Sequence, residues 1–333
     1  MSIFEELNCS SPIFKSVTSS TKPLFQLLNC IRFAPKAHVQ ISDEGIRFVV
    51  EEARVMQGIV FLDKALFTTF SCNLPEFYDY ETEGLSQDVP SFQISLPAFL
   101  ETIQILGTAD STISRFSKSE NELYSNIRLG RTNAFSNHAL GISGVCRLSY
   151  QSYGSPLCII LEESGVVTTC HLNTYEAEFS EEIPFQRDAM QVKIIMQARW
   201  LFDTISELSS SSSNRLDITA YPTSPYLSFS ATGPLGSTSV DFSNGRDLLE
   251  TFTVADKWSQ SYKVEMIKTS IEAMKLASKV SIRGDEQGVL SLQFMVEVEG
   301  GGINFIDFRF IPLIRTKDDD YEDTDSNVSD REL

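Results

Sequence analysis

The sequence is short of the residues that do chemistry. Three histidines and six cysteines are all it offers in 333 residues, and no two cysteines form a C-x-x-C pair. His38, His138 and His171 stand without a second ligand at metal-binding spacing. A zinc framework, a dithiol centre and a disulfide scaffold are disfavoured, and the expectation is reduced thiols with no metal and no cofactor. Basic residues are scarce too, 27 against 45 acidic ones, for a net charge of −18. A chain of that charge does not coat itself in nucleic acid; it leaves room only for a local basic stripe on one face. No apolar run approaches the roughly 20 residues of a membrane-spanning helix. The opening MSIFEELNCSS carries acids where a secretory signal needs lysine or arginine. The expectation is a soluble intracellular protein with no membrane partner. Nor does any glycine loop of the phosphate-cradling type follow a strand, and Ser, His and Asp show no nucleophile elbow.

What is present is an ordinary globular composition, 42% hydrophobic and 11% aromatic, in a chain long enough for two domains. Residues 316–333 hold eight acidic and two basic side chains, so −6 of the net charge sits in a terminal run that reads as a disordered, solvated tail, with Ser326 and Ser329 among the acids. The remaining −12 belongs to the body.

Periodicity repeats one plan twice. In the first half, a strand at 13–19 and a helix at 22–33 precede strands at 37–41, 46–52, 56–62 and 66–72. A strand at 92–95 and a helix opened by Pro97 follow, then three strands within CRLSYQSYGSPLCIILEESGVVTTCHLN (146–173). In the second half the same order runs from a strand at 191–196 and a helix at 199–208 through strands at 216–221, 226–231, 237–242, 249–254 and 261–266. A helix at 268–278 and strands at 280–283, 289–298 and 303–311 close it. The serine- and asparagine-rich stretch 107–144 reads as an inserted loop, and 173–189 as an inter-domain connection. The expected fold is α+β: two topologically similar domains, 1–172 and 190–315, each with two helices on antiparallel sheets.

Two features of this plan point outward. The last strand of the first half, 166–173, has nothing downstream to cover it, and such an edge suits completion by a second chain. Helices inserted among strands bury one face and turn the other out, so the four helices are expected on one surface. Ile267, Ile271 and Met274 recur on one face of 268–278, while Lys268, Lys275 and Lys279 recur beside it. Lys22, Arg32 and Lys36 extend from the first helix and Arg199 opens the third, although Asp203, Glu207 and Glu101 interrupt the row. Such a stripe supports phosphate contact without base readout. Asp79 and Glu81 in DYETE have the D-x-E spacing of two-metal exonucleases, but beside Glu83 they read as a solvated loop.

The segments YQSYGSPLCIILEESGVVTTCHLN (150–173) and KVSIRGDEQGVLSLQFMVEVEGG (279–301) resemble the Rad-One subunit family of the nine-one-one checkpoint clamp, a heterotrimeric relative of the proliferating cell nuclear antigen ring. The resemblance implies a DNA-clamp fold and a nuclear, non-catalytic subunit of a heterotrimer. It implies two other clamp subunits as partners, an ATP-dependent clamp loader, double-stranded DNA in the channel, and checkpoint and repair proteins as clients. Lys22, Arg32, Lys36, Arg199, Lys268, Lys275 and Lys279 would then line the channel. Val167, Thr169 and His171 on one edge, with Val240 and Phe242 on the other, would meet the neighbouring subunits. A client pocket is implied near Met56, Ile183, Phe185, Ile311 and Pro312, although Glu51 replaces an apolar residue there. The alternatives are a 3'-5' DNA exonuclease and a homotrimeric replicative clamp.

Overall fold

Alternating burial is the main organiser of the chain. In KAHVQI (36–41), Ala37, Val39 and Ile41 are buried while Lys36, His38 and Gln40 face outward. The computed structural model describes residues 11–74, 76–79, 84–87, 89–105, 144–163, 165–177, 182–209, 213–234, 236–245, 247–298 and 302–314. The first half runs β1 (Phe14–Thr18), α1 (Lys22–Asn29), β2 (Lys36–Ile41), β3 (Gly45–Glu52), β4 (Met56–Asp63), β5 (Thr69–Cys72), β6 (Glu76–Asp79), β7 (Gly84–Gln87), β8 (Ser91–Ser95), α2 (Leu96–Gln104), β9 (Val145–Tyr150), β10 (Leu157–Glu163), β11 (Val166–Leu172) and β12 (Tyr175–Glu176). The second runs β13 (Met190–Gln197), α3 (Ala198–Ser209), β14 (Arg215–Ala220), β15 (Leu227–Gly233), β16 (Gly236–Phe242), β17 (Leu249–Val254), β18 (Trp258–Lys263), α4 (Val264–Lys268), α5 (Ile271–Leu276), β19 (Lys279–Asp285), β20 (Leu290–Val298) and β21 (Gly302–Phe310).

The strands pair in corresponding orders. One sheet is β11-β10-β9-β1-β5; its counterpart in the second half is β21-β20-β19-β13-β17. Likewise β8-β2-β3-β4 has the counterpart β18-β14-β15-β16. Between the halves, β4 pairs antiparallel with β21, from Met56 opposite Phe310 to Val60 opposite Ile306. This fuses two sheets into one of ten strands, with β12 added beside β8. The small β6–β7 hairpin and β12 were not foreseen; β6 and β7 are four residues each, too short for a two-residue period to stand out.

The helices form one continuous layer, with α2 on α1, α1 on α5, and both α4 and α5 on α3. Pro23 sits at the first turn of α1, and Ser95 caps α2 by accepting from the Ala98 amide at 3.4 Å. The expected single helix at 268–278 is two short ones, and the expected strand at 261–266 ends at Lys263. The break falls at Thr269 and Ser270, whose hydroxyls donate back to the carbonyls of Met266 and Ile267, each at 2.7 Å. Such hydroxyls compete with helical bonding, and the buried Ser270 marks where the chain bends toward the core.

Residues 182–186 of the connection between the halves are strapped to the outer face of the large sheet. Glu182 bridges Arg47 on β3 at 2.5 Å and Arg309 on β21 at 3.2 Å. Ile183 is buried; its amide donates to Gln57 Oε1 at 2.7 Å and its carbonyl accepts from Arg309 at 2.7 Å. The Gln186 amide donates to the buried carboxylate of Asp285 at 3.1 Å, which also takes the Val289 amide at 2.8 Å.

Two predictions follow from this packing. A Cβ at Gly284 would run into the indole of Trp258, whose Nε1 donates to the Asp285 carbonyl at 3.2 Å. Gly284→Ala is therefore expected to destabilise the fold by about 1–3 kcal/mol through overpacking, read by urea denaturation. The Arg47 guanidinium, and then Arg309, holds the Glu182 carboxyl below its ordinary range. Its contribution to stability is present above the ordinary carboxylate pKa and is lost as pH falls through the lowered one. Glu182→Gln should lower the melting temperature near neutral pH, and the gap from the parent should close in acid.

Candidate subunit edges, helix face and outer groove

The helix face is charge-balanced rather than basic. Lys22, Arg199, Lys268 and Lys275 lie on helices, and Arg32 lies just beyond α1. Lys268 is 3.0 Å from Glu265, Lys275 is 2.8 Å from Glu272, and Arg32 is 4.0 Å from Glu101. With Asp203 and Glu207 on α3, these five cations share the layer with five acids. Exposed pairs of this kind add little stability, but they cancel the field that would draw in a polyanion. The Arg199 guanidinium stacks 4.4 Å from the Trp200 ring. Lys36 and Lys279 begin β2 and β19 on the parity of outward residues, so the structure sets them apart from the helix face; Lys279 bonds Glu250 at 2.6 Å.

Two sheets end on strands with no neighbour among the described residues that correspond to the strands of the internal joint: β11 corresponds to β21, and β16 to β4. On β11, Leu172 is buried and Thr168 and Cys170 are half-buried, whereas Val167, Thr169 and His171 are exposed, Val167 by 59%. The Asn73 amide donates to the Ile13 carbonyl. Carried through the registers of β1, β9 and β10, that alternation turns the amides of Val167, Thr169 and His171 outward. On β16, the Tyr221 amide donates to the Tyr226 carbonyl, which turns the amides of Thr238, Val240 and Phe242 toward β15 and those of Ser237, Ser239 and Asp241 outward. Phe242 is buried, 6.0 Å from Phe229. The β16 edge is thus offered by Ser237, Ser239 and Asp241. Strand alternation alone reaches them once the β14–β15 turn is known.

The neighbourhood of the expected client pocket is largely filled. Met56 and Ile183 are buried, Gln57 donates to Glu51 at 3.4 Å, and only Phe185, Ile311 and Pro312 retain exposure. An open groove of about 400 Å³ lies instead beside the connection, on the outer face of β13, β19, β20 and β21. Phe185 and Arg283 form its upper wall, 5.5 Å apart. Its lining comes from five strands and a connection, a grouping that only pairing order brings together.

Asp79 ends β6, while Glu81, Glu83, the acidic tail and the insertion apart from Gly144 lie outside the described residues. Among the described residues no group of three or more His, Cys, Asp or Glu side chains could hold a metal ion. Burial raises the thiols of Cys30 and Cys146 to about 12 and Cys72 to about 11, and all the described cysteines are free.

The chain matches the family described as Repair protein Rad1/Rec1/Rad17 over residues 13–296. It is 30% identical over 310 residues to the DNA damage checkpoint control protein rad1 of Schizosaccharomyces pombe, covering 92% of this chain and 89% of that protein. It is 30% identical over 293 residues to the cell cycle checkpoint protein RAD1 of Homo sapiens, covering 88% and 89%. A shorter match, 25% identical over 183 residues and covering 45% of this chain and 39% of the relative, is to the DNA repair exonuclease REC1 of Mycosarcoma maydis. The family match over most of the length, on top of the segments that first suggested it, places this chain in the Rad1/Rec1/Rad17 family.

Proposed function

We propose that the chain is one arc of a DNA damage checkpoint clamp. In this reading two clamp domains, 1–172 and 190–315, are joined by 173–189, and the arc is completed at each end by an unlike subunit. The ring is placed around duplex DNA by an ATP-dependent loader in the nucleus and presents a platform to checkpoint and repair proteins. The subunit itself is non-catalytic. Relatives named for checkpoint control in fission yeast and human support the process.

The observation that carries the reading is the internal joint. Asp307 on β21 pairs with Ile59 on β4. Thr169 occupies the position of Asp307 in the corresponding sheet, and Ser239 the position of Ile59. The same joint made between chains would set each of these edges against a neighbour's backbone, with affinity from the ladder and partner choice from the outward side chains. The balanced helix face gives such an arc only weak, sequence-independent contact with phosphates; enclosure does the holding.

Proline at an outward donor deletes one ladder bond at an edge and leaves the hairpin behind it intact. Thr169→Pro and Ser239→Pro are therefore each expected to weaken assembly with the two partner subunits about tenfold or more by size-exclusion light scattering, while the circular dichroism melt is unchanged. Proline at Val240 would instead break a bond inside the β15–β16 hairpin and unsettle the monomer. Unaltered assembly with Thr169→Pro and Ser239→Pro would remove the proposed contacts, and a stable trimer of the chain alone would favour the homotrimeric alternative.

A nuclease reading draws on the relative named an exonuclease. The expected outcome is that contaminant-free protein and its Asp79→Ala variant show the same background rate of metal-dependent DNA degradation. Loss of a measurable activity in the variant would establish the enzyme.

A further inference from the structure

On the outer face of its second-half sheet, this acidic chain carries a groove of the opposite sign. Arg187, Lys193, Lys279 and Arg283 line it, with Glu250 as the one acid among the lining residues. Glu250 is bonded to Lys279 at 2.6 Å. Arg187 and Lys193 have no ion pair among the described residues. Arg283 donates to Ser291 at 2.8 Å and Asp307 at 3.3 Å, yet its Nε is buried with no hydrogen-bond partner. Burial, then the neighbouring cations of Arg187 and Arg309, hold this guanidinium below its ordinary range against the pull of Asp307. Arg187 and Arg309 thus lie near enough to Arg283 to add positive charge around it.

The floor is apolar. Met190, Met295 and Phe305 form it, and Phe305 is 49% exposed. An aromatic ring flanked by carboxylates fits both halves of this surface: the ring covers the exposed floor, and the carboxylates take charge-assisted bonds from the rim.

The sequence contains such a segment, Asp318-Asp319-Asp320-Tyr321-Glu322-Asp323. The chain leaves the ten-stranded sheet after Phe310, and the Leu313 amide then donates to the Ser261 carbonyl on β18 at 2.8 Å. Phe310 aligns with Leu290 and Leu290 with Gly284, the residue after Arg283. Two strand spacings are about 10 Å, and Tyr321, seven residues beyond Ile314, reaches up to about 24 Å from it when the chain is extended. A tether of that length holds the segment at an effective concentration near the millimolar range.

We propose that the outer groove binds the chain's own acidic segment, with Tyr321 on the apolar floor and its flanking carboxylates on Arg187 and Lys193. Neither open edge contributes a residue to the groove, so the inference stands apart from ring assembly.

The test uses a labelled peptide of residues 316–333, titrated by fluorescence anisotropy onto the intact chain and onto a chain ending at Arg315, a truncation that removes no described residue. Saturable binding is expected to the truncated chain, weakening as salt rises, and about tenfold or weaker binding to the intact chain, where the tethered copy competes. The double variant Arg187→Glu, Lys193→Glu of the truncated chain should lose about tenfold or more in affinity. Tyr321→Ala in the peptide should do the same while leaving the folded protein untouched. Absence of saturable binding, equal binding to the intact and truncated chains, or indifference to Tyr321→Ala would each overturn the proposal.

Discussion

The backbone ladder between β4 and β21 is the constraint on which the rest of the molecule depends. Five facing residue pairs turn the sheets of two halves into one surface. At its centre, Gly58 leaves space that a Cβ would take from Ile31 and Phe33, so the turn after α1 can press onto the seam. Phe33 in turn lies 6.2 Å from Phe308, the residue opposite Gly58. A larger residue at position 58 would push the helix layer off the joint.

The other side of the seam is sealed by charge. Arg309 extends from β21 to Glu182 and the Ile183 carbonyl, and Arg47 reaches Glu182 from β3. Ser291 donates to Asp307 at 2.7 Å, and Arg283 shares that carboxylate. Arg283, Arg309 and Asp307 are largely buried, so breaking one of these partners would leave another underserved, whereas Glu182 is exposed and its pairs are partly screened by water. Residues 182–186 of the connection between the halves are in this sense part of the sheet's surface. Burial of Ile183 beneath it explains why the neighbourhood first expected to receive clients is already occupied by the chain itself.

Much of the fold was legible from period alone. Strands with one buried face, such as β2, β14 and β19, announce themselves because every second residue is apolar. The repeat of element order was legible for the same reason. What stayed hidden depends on direction or on partners distant in sequence. The lysine row at 268–279 reads as one helical stripe, but Ser270 turns inward, the helix breaks, and Lys279 lands on a strand facing the other way. Val240 reads as an edge residue, but the amide alternation inherited from β14 hands that role to Ser239. The neutralisation of Arg32 by Glu101 crosses two helices 69 positions apart, and no local pattern encodes it.

That balance of charge has a mechanical meaning for any duplex threaded past these helices. A wall with no net pull neither grips the rod nor repels it, so friction against this side would be low and the rod's resting position would be set by whatever lines the remaining circumference. An enclosure assembled from unlike walls would then hold its passenger off-centre, leaning away from this one.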